Sequence, residues 1–159
     1  MILKPDYNLD SLFDIDFKEI KSLGINAVLF DLDSTVMPSK SGEYPTEVKE
    51  LLDNLKQNFV VAVISNNKNK EYVEKVQSQS SFPVIGKANK PSPKIMREFL
   101  QSVNIQPNET VVIGDRPLTD ILAGKLLGAK TILVDSITKD TENKPTRFVR
   151  KLERLFIRK

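Results

Sequence analysis

Short runs of Val, Ile and Leu alternate along the chain with longer segments whose apolar residues recur every three or four positions. AVLFD (27–31), VVAVIS (60–65), PVIG (83–86), TVVIG (110–114) and KTILVD (130–135) read as five buried strands. PTEVKELLDNLKQ (45–57) places Val48, Leu51, Leu52 and Leu55 on one helical face, and KEYVEKVQS (70–78) reads as a second helix. In SPKIMREFLQSV (92–103), Ser92 is the expected N-cap and Pro93 the first helical residue, with Ile95, Phe99 and Leu100 on the apolar side. TDILAGKLLG (119–128) is a helix expected to end at Gly128. Strand–helix alternation with short links predicts an α/β, Rossmann-like three-layer sandwich. Its central parallel sheet would have about five strands, helices on both faces and right-handed crossovers.

That architecture turns the pattern into a map, because ligands bind such sheets beyond the carboxyl ends of the strands, where the strand order reverses. Asp31 and Asp33 follow the first strand, Ser65-Asn66-Asn67 the second and Asp115 the fourth, with Asp120 five residues further on. Lys90 lies in the loop GKANKPSP, which leads into the third helix. Carboxylates, a hydroxyl beside amides and a lysine should therefore converge on one crevice. The chain of 159 residues has one domain's length, with a lead-in over 1–26 and a basic segment over 139–159. No repeat, linker or secretory signal is visible, and the longest apolar run, FVVAVI (59–64), is far short of the roughly 20 residues of a spanning helix.

Composition narrows the chemistry. There is no cysteine and no histidine, which removes disulfides, thiolate zinc sites and histidine-based catalysis. Acid–base work falls to carboxylates, lysine or tyrosine, and a metal here would be a hard, oxygen-loving one such as magnesium. Clustered carboxylates repel unless a cation is present. Magnesium held by Asp31 and Asp115 would resolve that conflict and leave positions open for a phosphoryl oxygen. Asp31 would attack phosphorus to form an aspartyl-phosphate, Asp33 would carry the proton to and from the alcohol and water oxygens, and Ser65, Lys90 and backbone amides near Asn66 would hold the transferring group. Each motif alone has an ordinary explanation as a turn, a cap or a solvated lysine. Their joint order argues for chemistry.

Those four motifs, FDLDST, SNN, NKPSP and GDRPLTD, resemble in order the signature of the haloacid dehalogenase (HAD) phosphatase superfamily over residues 27–134. The resemblance implies Asp31 as nucleophile, Asp33 as acid/base, and a Mg²⁺ shell of Asp31, the Asp33 backbone carbonyl and Asp115, with Thr35 and Asp120 in support. Ser65, Asn66 and Lys90 would bind phosphate. Ser34 stands where Asn or Gly is common. Only 31 residues separate Asp33 from Ser65 and 24 separate Ser65 from Lys90, so neither gap holds the cap domain with which such enzymes select substrate. A capless site either receives a lid from another subunit or acts on something large.

The opening LKPDYNLDSLFDIDFKEIKSLGINAVLFDLDST and the stretch GDRPLTDILAGKLLGAKTILV resemble the phosphatidylglycerophosphate phosphatase branch (YqeG-like and mitochondrial lipid phosphatases), although Arg116 and Lys125 depart from its pattern. The implied substrate is an anionic phospholipid and the implied setting phospholipid biosynthesis, in a cytoplasmic enzyme peripheral to the inner membrane face. Charge agrees: residues 139–159 carry eight Lys/Arg and three Asp/Glu, a net +5 against +3 for the whole chain, so the rest is −2. Phe148, Val149, Leu152, Leu155 and Phe156 fall at helical spacing, with Arg147, Arg150, Lys151, Arg154 and Arg158 mostly opposite. Such a helix would cover the sheet, rest on anionic lipid, or both. A soluble sugar-phosphate, nucleotide or protein phosphatase remains an alternative, as does a phosphate-sensing domain without turnover, which would have no need of Asp33. Nucleic-acid binding is not expected, since the basic segment has no stacking platform and aromatic content is 7%.

Overall fold

A computed structural model describes residues 3–137. The basic helix expected over 139–159 lies outside the described residues. Six parallel strands, β1 (Tyr7–Leu9), β2 (Ala27–Phe30), β3 (Val60–Ile64), β4 (Val84–Ile85), β5 (Thr110–Gly114) and β6 (Lys130–Val134), form one sheet in the order β1-β6-β5-β2-β3-β4. The five strands expected from sequence are β2 to β6. The sixth, β1, comes from the lead-in.

Alternation along the strands feeds two apolar layers. Val28, Phe30, Val61, Val63, Val111 and Ile113 face one layer, which is closed by Ile20 of α1 (Phe17–Ser22), Val48, Leu52 and Leu55 of α2 (Thr46–Leu55) and Val76 of α3 (Lys70–Ser78). Ala27, Leu29, Ala62, Ile64 and Val112 face the other, under Met96, Phe99 and Leu100 of α4 (Lys94–Ser102) and Ala123 and Leu127 of α5 (Leu122–Leu127). A sheet buried on both faces needs continuous apolar strands, and this is why each reads as a solid run. α2 and α3, with the short β4, occupy the two gaps between motifs; among the described residues no large cap is inserted.

Two local details differ from the sequence expectation. Ser92 lies one residue upstream of the N-cap, which is Pro93, so its hydroxyl reaches only the Lys94 N–H at 3.4 Å. The helix expected from Thr119 begins earlier, as a wide turn over Pro117–Ile121 that continues into α5 and closes at Gly128 with φ 93°. Proline suits that first turn because its missing N–H would have had no helical partner.

β1 is held less by its own residues than by Asp6. The Asp6 carboxylate accepts from the Thr131 N–H (2.8 Å) and hydroxyl (3.2 Å) and pairs with Lys125 at 3.3 Å, while the Asp6 N–H donates to the Thr131 carbonyl. Burial pushes this carboxyl up, but the Thr131 bonds and the Lys125 charge outweigh it and hold it below its ordinary value of 3.8. Asp6→Asn should therefore cost about 1 kcal/mol at neutral pH, a modest figure because the pair is partly exposed. A depressed carboxyl stabilises above its unfolded value and stops doing so as pH falls through its folded value. The melting temperatures of the two proteins should converge in strong acid; a gap of constant size across that range would contradict the assignment.

Candidate active site

The strand order reverses between β2 and β5, the two strands that carry the first and last motifs. Asp31 extends the ladder one residue past β2, its N–H donating to the Ile113 carbonyl at 2.9 Å. Asp115 directly follows β5. The two carboxylates thus leave adjacent parallel strands side by side. The chain then folds back, with Thr35 N–H on the Leu32 carbonyl, and sets the Thr35 hydroxyl 2.8 Å from Asp115 Oδ1 and 3.2 Å from Asp31 Oδ2. A hydroxyl has one proton to donate, so it serves one of these oxygens at a time. Ser34, inside this turn, has φ 72°. The left-handed region costs a non-glycine residue roughly 1 kcal/mol, so the serine bears on backbone strain rather than on chemistry.

Lys90 enters from the loop between β4 and α4. It is 5% exposed, and its ammonium lies 2.6 Å from Asp31 Oδ1 and 2.8 Å from Asp120 Oδ1. Burial alone would lower its pKa, yet the charges of Asp120 and Asp31 overcome this and raise it above the ordinary lysine value. Lys90 is therefore a fixed cation. Asn66 clips the lysine's backbone on both sides: its amide donates to the Lys90 carbonyl (3.0 Å) and its oxygen accepts the Lys90 N–H (2.6 Å). The Ser65 hydroxyl accepts from the Asn67 N–H at 3.0 Å. Asp120 reaches back from the wide turn, with Oδ2 accepting the N–H groups of Asp115 (3.2 Å) and Arg116 (3.1 Å). Burial, and after it the charge of Asp31, push its carboxyl up to about 6 against the pull of Lys90.

Of the residues singled out in the sequence, Asp31, Thr35, Lys90, Asp115 and Asp120 meet in one bonded cluster, and Asn66 joins it through the Lys90 backbone. The side chains of Asp33 and Ser65 make their bonds elsewhere. Asp31, Asp115 and Asp120 each offer an oxygen within 4.8 Å of the others. Three negative formal charges and the single positive charge of Lys90 leave −2, and all the donors are hard oxygens. A divalent ion of the magnesium type fits that charge and donor set. With Asp120 already engaged on three sides, Asp31 and Asp115 are the natural ligands.

One participant was not anticipated. Tyr72, on α3, donates its phenol to Asp33 Oδ1 at 2.6 Å and accepts the Gly42 N–H at 3.2 Å. The Lys40 N–H donates to the same Asp33 oxygen at 3.0 Å. Burial, then the bond to Asp33, raise the phenol's pKa well above its ordinary value of 10.0. The available signal was a tyrosine in the first turn of the helix that follows the S-N-N motif.

A family profile described as HAD-hydrolase-like matches residues 87–155. The protein named Probable phosphatase YqeG of Bacillus subtilis (strain 168) is 29% identical over 94% of this chain and 87% of its own length. Both likenesses support a HAD-like hydrolase domain. They also support a phosphoric monoester hydrolase of the HAD phosphatase type. Phosphatidylglycerophosphate phosphatase 1, chloroplastic/mitochondrial, of Arabidopsis thaliana is 26% identical over 94% of this chain, which spans 45% of that longer protein. The crystal structure of a HAD phosphatase from Thermococcus onnurineus aligns with a TM-score of 0.58 over 83% of this chain and 98% of that one, at 13% identity, a likeness of fold.

Gly114 is the hinge of the acidic cluster, because a Cβ there would fall onto the Asp120 side chain. Gly114→Ala should displace Asp120 from Lys90, lower stability by about 1–3 kcal/mol and reduce phosphatase turnover at least about tenfold. Calorimetry with a steady-state assay reads both. Full activity in the alanine variant would show that the position of Asp120 does not matter.

Proposed function

We propose that the chain is a magnesium-dependent phosphatase that works through an aspartyl-phosphate on Asp31 and hydrolyses phosphatidylglycerophosphate to phosphatidylglycerol. The observation that carries the mechanism is accessibility within the cluster. The Asp31 side chain is 15% exposed, whereas Asp120 is 1% exposed and Asp115 is fully buried. Only Asp31 both sits inside the charged cluster and meets solvent, as a nucleophile must.

Asp31 attacks phosphorus and the bond from phosphorus to the ester oxygen breaks, with Asp33 giving its proton to that oxygen. A water then attacks the phosphorus of the aspartyl-phosphate, passes a proton to Asp33 and frees Asp31 and inorganic phosphate. Lys90 orients Asp31 through their 2.6 Å ion pair, and with Ser65 and the amide-bearing turn at Asn66 it lines the phosphoryl group's place. Magnesium held by Asp31, Asp115 and the Asp33 backbone carbonyl would supply charge neutralisation for the phosphoryl oxygens.

The lipid substrate is supported by similarity that runs through almost the whole chain to the bacterial phosphatase and to the plant phosphatidylglycerophosphate phosphatase. It is also supported by the lack of an inserted cap among the described residues, which suits a headgroup still anchored in a bilayer. No helix among the described residues is long and apolar enough to cross a membrane. Contact with anionic lipid is therefore proposed as peripheral, through the basic segment 139–159.

Phosphate release from phosphatidylglycerophosphate in vesicles, compared with a panel of soluble phosphomonoesters and with Asp31→Asn as blank, tests both parts. The account expects at least about tenfold higher kcat/KM on the lipid, roughly 1.4 kcal/mol of discrimination, and no turnover in Asp31→Asn. A few-fold preference overturns the lipid assignment, and an active Asp31→Asn overturns the mechanism.

A further inference from the structure

We propose that Tyr72 is a positioning residue for the proton carrier: its phenol, braced by the Gly42 N–H, pins one oxygen of Asp33 and leaves the other to serve the ester oxygen. This rests on the reading of Asp33 as acid/base given above.

The geometry is specific. Asp33 belongs to the turn after β2 and Tyr72 to α3 after β3, so their contact spans 39 positions and owes nothing to local structure. At 2.6 Å it is a short bond. Both hydrogen bonds that the Asp33 carboxylate accepts, from Tyr72 and from the Lys40 N–H, fall on Oδ1. Oδ2 has neither partner, and a carboxyl that must deliver a proton needs one oxygen in that state. The phenol is itself held at three points. It accepts from Gly42 at 3.2 Å, touches Met37 Sδ at 3.6 Å, and stands on a helix whose N-cap, Asn69, accepts the Tyr72 N–H at 3.1 Å. Asp33 also neighbours Met37 through a strand-like bridge, so phenol, loop and carboxylate form one closed circuit.

A carboxylate on a turn, held only by the Lys40 amide, would sample several rotamers. Fixing it in one raises the fraction of encounters in which its proton faces the leaving oxygen. The proton balance is simple. Tyr72 keeps its own proton throughout; the transferred proton leaves Asp33 Oδ2 for the alcohol oxygen as the phosphorus–oxygen bond breaks, and returns from water in the second step. Tyr72 touches no reacting atom.

Leaving-group dependence separates this role from simple packing. Tyr72→Phe keeps the ring and removes the hydroxyl. An alkyl phosphate needs its leaving oxygen protonated, whereas an aryl phosphate with an activated phenol does not. Tyr72→Phe should lower kcat on the alkyl ester about tenfold, change the aryl ester less than about threefold and leave KM for both within about twofold. In an Asp33→Asn background the same substitution should have no further effect on the alkyl ester, because residues acting as a unit are not additive. Equal losses on both esters, no loss on either, or a full additional loss in the Asp33→Asn background would overturn the proposal. Should Tyr72→Phe melt below the assay temperature, 3-fluorotyrosine at position 72 changes donor strength alone. The alkyl-to-aryl ratio should then shift, and an unchanged ratio overturns the role. If Asp33→Asn itself leaves that ratio unaltered, the assignment of Asp33 fails; if only Tyr72→Phe does, Asp33 stands and Tyr72 falls.

Discussion

Three carboxylates gathered around one buried ammonium are the constraint on which the rest of the molecule depends. An isolated charge taken out of water costs several kcal/mol, and two like charges at this range add to that. Lys90 offsets part of the penalty by bridging Asp31 and Asp120 at 2.6 and 2.8 Å. It cannot offset all of it, since two negative charges remain after the lysine is counted. Removing Lys90 would leave three carboxylates with no ammonium between them, and neutralising one aspartate would still leave a net charge of −1. The cluster is balanced for one more doubly charged cation.

The fold assembles this cluster cheaply. Parallel strands β2 and β5 end within one residue of each other, with Phe30 paired to Ile113, so the Asp31 and Asp115 carboxylates emerge at the same end of the sheet. Gly114 lets the Asp120 side chain lie flat against the end of β5. The wide turn at Pro117–Ile121 then turns Asp120 back toward the backbone N–H groups of Asp115 and Arg116. On the other side Asn66 ties the Lys90 loop to the end of β3, so the lysine's position is set by the sheet rather than by its own flexible stem.

Much of this is legible in the sequence because a doubly covered parallel sheet writes its strands as solid apolar runs. The first polar residue after each run then marks the ligand end. Asp31, Ser65 and Asp115 are found that way. β1 escapes the same logic. At three residues, with Asn8 exposed between two half-buried neighbours, it has too few positions for periodicity. It exists because Asp6 anchors it to Thr131, 125 positions away. Tyr72 escapes for a related reason: its partner is a turn residue far along the chain, and the helix pattern records only which face is apolar. Ser92 and the early start at Pro117 are boundary effects, where backbone geometry around proline decides the first turn.

Calorimetric titration of the metal-free protein with magnesium tests the charge balance most directly. The account predicts one ion bound per chain, with binding lost in Asp115→Asn and the fold preserved in that variant. An absence of magnesium binding to the native chain, or an unchanged isotherm when Asp115 is neutralised, would contradict it.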